Sequence, residues 1–164
     1  MTVDALQWSL AQFQSFLLIL MRTAPLLFLM PLLGSRNIPA LAKIGLALTV
    51  SLILLPSVKM ESAILPQEPF SFLAFLGAEF LIGFLLGLAV KAIFAGIQMA
   101  GELVGFQMGL SLAHVIDPQS GEDSSALAQF HYFAATLIIL AVDVHHWLFR
   151  ALVQSFQVLA PGEI

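Results

Sequence analysis

The sequence predicts an all-α protein built of membrane-associated helical hairpins, in which several helices are kinked or broken. Of the 164 residues, 60% are hydrophobic and only 10% are charged, against averages of about 45–50% and about 25% in soluble domains. The apolar residues form four long segments, but charges and prolines interrupt them where a lipid-facing helix would have none. We therefore expect one helical membrane domain over residues 1–164 that is covered partly by other subunits of an assembly.

The composition also excludes several classes of protein. The net charge is -4 and the few charges are scattered, so no basic patch marks a nucleic-acid partner. Without cysteine, disulfides and thiolate chemistry are excluded. The first ten residues contain Asp4 and no lysine or arginine, unlike the start of a secretory signal peptide. We expect the first apolar segment to remain in the mature protein.

Segment one covers about residues 3–33, and charge and proline interrupt its apolar core. The core, residues 16–33, is about 27 Å long as a helix, which barely spans a hydrocarbon layer of about 30 Å. Arg22 lies inside it and costs about 2.5–3.5 kcal/mol on insertion scales. We expect Arg22 to face protein, water or a carboxylate, and Pro25 to kink the helix. The alternative is a kinked anchor with a snorkelling arginine.

Segment two, residues 40–55, forms a hairpin with segment one. The loop between them is short and polar, and Pro39 stands where a first-turn proline is favoured. Two helices joined so tightly must run antiparallel. The stretch 56–69 contains several prolines and charges of both signs, so it predicts an exposed connection to the third segment.

Segment three begins near residue 70, and its first part alone, to residue 100, is about 45 Å long if unbroken. One stripe of it carries Glu79, Gly83, Gly87 and Lys91 at successive four-residue steps. The glycines allow a neighbouring backbone to approach, and the charges would then be held by protein. We predict a helix-packing or assembly seam that also includes Arg22, Gly101 and Glu102. The alternative is a tilted helix with Glu79 and Lys91 near the two membrane interfaces.

The stretch 101–121, GELVGFQMGLSLAHVIDPQSG, departs most from an ordinary membrane helix. Glycines recur at every fourth position from Gly101, and Glu102 and Gln107 are polar. Because a proline disfavours helix in the residue before it, we expect segment three to stop near residue 116, before Asp117-Pro118. Such a stretch is typical of a moving or pore-facing part.

Segment four, about residues 125–159, has a short apolar centre at 133–142, which suits a helix buried in an assembly. Asp143, His145 and His146 lie close together in it. On a continuous helix the two adjacent histidines point about 100° apart, so they cannot face one ion without an unwound backbone. We therefore expect a polar cluster, with no metal, no cofactor and no catalytic site, because no nucleophile, base and oxyanion donors are assembled.

The residues from Arg22-Thr23-Ala24-Pro25 to the chain end, above all G-E-x-x-G-x-Q-M-G-x-x-x-A and the following Asp117-Pro118, resemble the FliR family, the R component of the type III secretion export gate. The resemblance implies a non-enzymatic subunit at the flagellar basal body in the bacterial inner membrane. Its implied partners are the P and Q subunits (FliP and FliQ), the B subunit FlhB, FlhA, and unfolded export substrates in transit. Family members continue beyond the equivalent of Pro161-Gly162, so this chain is expected to be a truncated or partial one.

In this family the region equivalent to residues 105–121 projects into the closed pore as a plug. The predicted plug and gate residues are Gly105, Phe106, Gln107, Met108, Gly109, Leu110, Leu112, Asp117 and Pro118. The apolar members would form a dry seal, the glycines would let it move, and Asp117-Pro118 would fix its turn. The rival function is a small-molecule transporter with broken helices, but the internal repeat that would favour it is absent from the sequence.

Overall fold

The computed structural model describes residues 2–31, 33, 38–58, 68–109 and 126–161, with side chains from residue 10 onward. All regular secondary structure in these ranges is helical. The helices are α1 (Thr2–Leu29), α2 (Ala40–Leu54), α3 (Pro69–Gln107), α4 (Ala126–Ala141) and α5 (Val144–Val158). The all-α prediction is confirmed.

Two of the described helices are long and apolar enough to cross a membrane. They are the Leu10–Leu29 part of α1 and the whole of α3, and a third crossing is counted if α4 and α5, which are bent at the break between them, form one span. Helix α2 is apolar but shorter. These lengths agree with the predicted membrane protein, because about 20 apolar residues span a bilayer core.

The chain forms two compact units. That residues 1–164 make up one helical membrane domain stays a prediction. The first unit contains Met1–Leu88 and Leu148–Ile164, and the second contains Ala89–Trp147. Helix α3 contributes its first half to the first unit and its second half to the second. The division reflects the length of α3: its first half packs against α1 and its second half packs against α4.

In the first unit, α1 and α2 pack together as the predicted hairpin. Its core contains Ile19 and Leu26 of α1 with Leu152 and Phe156 of α5, all at most 5% exposed. Burying such side chains stabilises the fold by about 1.5–3 kcal/mol each. Pro25 lies inside α1 and does not end the helix.

In the second unit, the last part of α3 packs antiparallel against α4. Gly101 faces Ala128, while Phe94, seven positions earlier, packs against Tyr132 with ring centroids 5.7 Å apart. Ala128 is fully buried and Phe94 is 4% exposed. Residues later in α4 therefore contact residues earlier in α3, as expected for antiparallel helices.

Two helix ends differ from the sequence-based prediction, and each has a residue with positive φ beside it. Helix α3 ends at Gln107 instead of continuing to residue 116, and Gly109 follows with φ 74°. The predicted fourth segment is interrupted between α4 and α5, where Asp143 has φ 56°. Glycine adopts this left-handed conformation without strain, and aspartate tolerates it better than most residues.

Candidate functional site

The most buried polar site in the described residues is an ion pair between two helices of the first unit. Arg22 of α1 is fully buried and Glu79 of α3 is 1% exposed. The Nε atom of Arg22 donates a hydrogen bond of 2.5 Å to Oε2 of Glu79. A membrane helix can hold an arginine at this depth because the carboxylate neutralises it away from lipid.

The rest of the Arg22 guanidinium binds the end of α5. Its Nη1 donates to the carbonyl oxygens of Ser155, at 2.8 Å, and Leu159, at 3.1 Å, and Nη2 also donates to Leu159 at 3.1 Å. The ring of Phe156 covers the cation, with Cζ 4.4 Å from the ring centroid. One side chain thus joins α1, α3 and the C-terminal end of α5.

Glycines allow α3 to approach α1 beside this ion pair. A Cβ atom on Gly83 would overlap the carbonyl oxygen of Arg22 and lie 2.8 Å from its carbonyl carbon. On Gly87 it would lie 2.9 Å from Cβ of Leu29 and 3.2 Å from Cα of Leu26. Any side chain at these two positions would push the helices apart.

The structure brings together only part of the predicted seam. Three predicted members on α3, Glu79, Gly83 and Gly87, lie against α1. A fourth, Arg22, belongs to α1 and pairs with Glu79. Gly101 is buried against α4 in the second unit, where a Cβ atom would lie 2.7 Å from Cα of Ala128. Lys91 and Glu102 are exposed and take no part in these contacts. That the exposed members contact an assembly partner stays a prediction.

The described part of the predicted plug is the last turn of α3 and the turn after it. Gly105 is buried, whereas Phe106 is 74% exposed and Met108 is 65% exposed. Gln107 and Gly109 are also exposed. The other predicted plug residues, Leu110, Leu112, Asp117 and Pro118, lie outside the described residues.

Sequence reasoning missed the α5 side of the buried site. The oxygens of Ser155 and Leu159 that accept hydrogen bonds from Arg22 are backbone carbonyl oxygens. Every residue has one, so the residue types at these positions do not predict the contact. Phe156 was not singled out either, although an aromatic ring near an intramembrane cation is a favourable partner. The requirement for several acceptors around a buried guanidinium is the signal that could have indicated such a contact.

Comparison with known proteins assigns the family. The family model for bacterial export proteins, family 1, matches residues 13–164. The chain belongs to this family. The resemblance to FliR is confirmed, because the chain is 38% identical over 148 residues to the flagellar biosynthetic protein FliR of Bacillus subtilis, covering 90% of this chain and 56% of that protein.

Other members of bacterial export family 1 show the same relationship. FliR of Escherichia coli is 35% identical over 145 residues, covering 87% of this chain and 54% of the relative. The surface presentation of antigens protein SpaR of Shigella flexneri is 30% identical over 119 residues, covering 73% and 46%. The chain spans about half the length of the curated relatives it matches.

Proposed function

We propose that this protein is a subunit of the flagellar type III export gate that helps to form and close a protein-conducting channel. The observation that carries the proposal is the family match over residues 13–164 together with relatives named as flagellar biosynthetic proteins.

The gate is the stretch 105–121, beginning at the end of α3. Two of its apolar side chains, Phe106 and Met108, are exposed in the chain by itself, as a seal contributed to a pore would be. Gly101 packs directly against α4, so the stretch starts from an anchored base. Many weak apolar contacts suit a gate, because its open and closed states must have similar free energies.

The proposed partners are FliP and FliQ in the same helical complex, with FlhB and FlhA beside it and unfolded export substrates passing through. The proposed location is the flagellar basal body in the bacterial inner membrane. The proposed subunit is non-enzymatic, and its buried Arg22–Glu79 pair serves helix packing.

Copurification with the proposed partners tests the function. The full-length protein is co-expressed with tagged FliP and with FliQ, extracted in detergent and isolated through the tag. We expect all three proteins in one complex. A monodisperse chain that stays free of both partners and binds a small solute would instead support the rival transporter.

A leak measurement tests the gate. Deleting residues 110–116 should let the reconstituted closed complex pass ions, because part of the seal is removed. Deleting residues 60–66 from the predicted connection after α2 is the control of equal length, and it should leave the complex tight. A complex that assembles with the 110–116 deletion and conducts no more than the wild type would contradict the proposed gate.

A further inference from the structure

The break between α4 and α5 gathers Asp143, His145 and His146 in the second unit, and we propose that they bind a divalent transition-metal ion of the zinc class. The imidazole and carboxylate ligands offered here suit zinc and its neighbours in the first transition series. The inference does not depend on the proposed export function, because it rests on local geometry alone.

The break between α4 and α5 repositions Asp143 but not the two histidines relative to each other, since both lie in the first turn of α5. Their side chains nevertheless bring one ring nitrogen each to within 4.8 Å of the other and of the Asp143 carboxylate. Helix α4 closes with hydrogen bonds from Val142 N to Ile138 O, at 3.0 Å, and from Asp143 N to Leu140 O, at 3.2 Å. Asp143 then takes φ 56°, and α5 starts at the next residue. The turn directs the aspartate toward the first turn of α5.

The distances fit a metal better than they fit hydrogen bonds. Oδ1 of Asp143 lies 3.7 Å from Nε2 of His145 and 3.7 Å from Nδ1 of His146, which is too long for hydrogen bonds. One ligand atom from each of the three residues lies within 4.8 Å of the others. Ligands at about 2.0–2.1 Å from a tetrahedral zinc stand roughly 3.3 Å apart, so small side-chain movements would close the site.

The site is accessible to an added ion. The side chains of Asp143 and His146 are 70% and 68% exposed, and that of His145 is 29% exposed. Three ligands leave one tetrahedral position for water.

Zinc titration tests the proposal on the full chain, purified in detergent through a tag that contains no histidines. After removal of metals with a chelator, zinc chloride is added in competition with a chromophoric chelator. We expect one tight zinc per chain. The variants Asp143→Asn and His146→Ala should each weaken binding by more than about 10-fold, since even partners outside the ligand shell contribute about 10–100-fold. Asparagine tolerates the positive φ, so the first variant keeps the break.

The control is His131→Gln, since Nδ1 of His131 already faces the carbonyl oxygen of Leu127 at 2.8 Å and His131 is not in the cluster. The control should bind zinc as the wild type does. Equal losses in all three variants, or wild-type affinity in both ligand variants, would overturn the proposal. Cobalt loaded into the wild type gives a readout that needs no variant: intense visible bands of a tetrahedral nitrogen–oxygen site are expected, and the faint spectrum of hydrated cobalt would overturn it.

Discussion

Removing the Arg22 guanidinium should destabilise the first unit strongly, whereas removing both charges of the pair should cost much less than the two single changes together. Arg22→Met leaves the Glu79 carboxylate, 1% exposed, without its cation. Breaking a buried pair from one side costs about 3–5 kcal/mol. Glu79→Leu leaves the guanidinium without its anion, with a cost of the same order.

The double variant Arg22→Met/Glu79→Leu buries no charge. Its remaining cost comes mainly from the carbonyl oxygen of Leu159, which loses the Arg22 donors, at about 1–3 kcal/mol for a buried group. The carbonyl oxygen of Ser155 keeps the hydrogen bond from Leu159 N, at 3.0 Å. We expect a total of about 1–3 kcal/mol, far below the sum of the single costs, because an unpaired buried charge accounts for most of the cost of each single change.

Thermal unfolding in detergent measures the effect. At about 2–4 °C per kcal/mol for a chain of this size, Arg22→Met should lower Tm by about 6–20 °C. Lys91→Met is the control, because Lys91 is exposed and its change should leave Tm nearly unaltered. A wild-type Tm for Arg22→Met, or a double variant as unstable as the sum of its parts, would refute the buried-pair account.

Substitutions at Gly83, Gly109 and Phe156 test the helix packing, the helix end and the cation–π contact. Gly83→Ala should lower Tm, since overpacking costs about 1–3 kcal/mol, whereas Gly77→Ala, where a Cβ atom meets nothing within 4 Å, should raise it slightly; equal effects would contradict the close approach. Gly109→Ala should speed amide hydrogen exchange in the last turn of α3, because φ 74° strains alanine by about 1–2 kcal/mol, and Gly109→Asn should do so less. Phe156→Leu removes a cation–π contact worth about 0.5–2 kcal/mol, so a lowered Tm is expected, and an unchanged Tm would remove Phe156 from the account.

The sequence predicted the features that follow from composition and spacing. Its apolar content indicated membrane helices, and the short loop before Pro39 indicated the hairpin of α1 and α2. Arg22 needs a partner that neutralises it in an apolar helix, and Glu79 begins a stripe of glycines. Together these two features indicated that the helices pack at Arg22 and Glu79. Each of these inferences depends on a local rule with a large free-energy cost for its violation.

Other features could not be read from the sequence, because they depend on backbone geometry or on distant contacts. Proline suggested that the third helix would run to residue 116, but Gly109 ends α3 earlier by taking a left-handed conformation. Asp143 does the same after α4, although no glycine or proline stands there. The carbonyl oxygens that bind Arg22 come from residues more than 130 positions away, and backbone atoms carry no sequence signal.

The most direct test of the central claim is to ask whether an export substrate in transit touches the end of α3. A photoreactive benzophenone amino acid replaces Phe106, which is 74% exposed, in the full-length protein within its assembled complex. The same replacement at Leu81, 58% exposed in the first half of α3, is the control. With a substrate stalled by a folded domain, we predict a crosslink from position 106 and none from position 81. A complex that exports normally but gives no crosslink at 106, or equal crosslinks at both positions, would contradict the account.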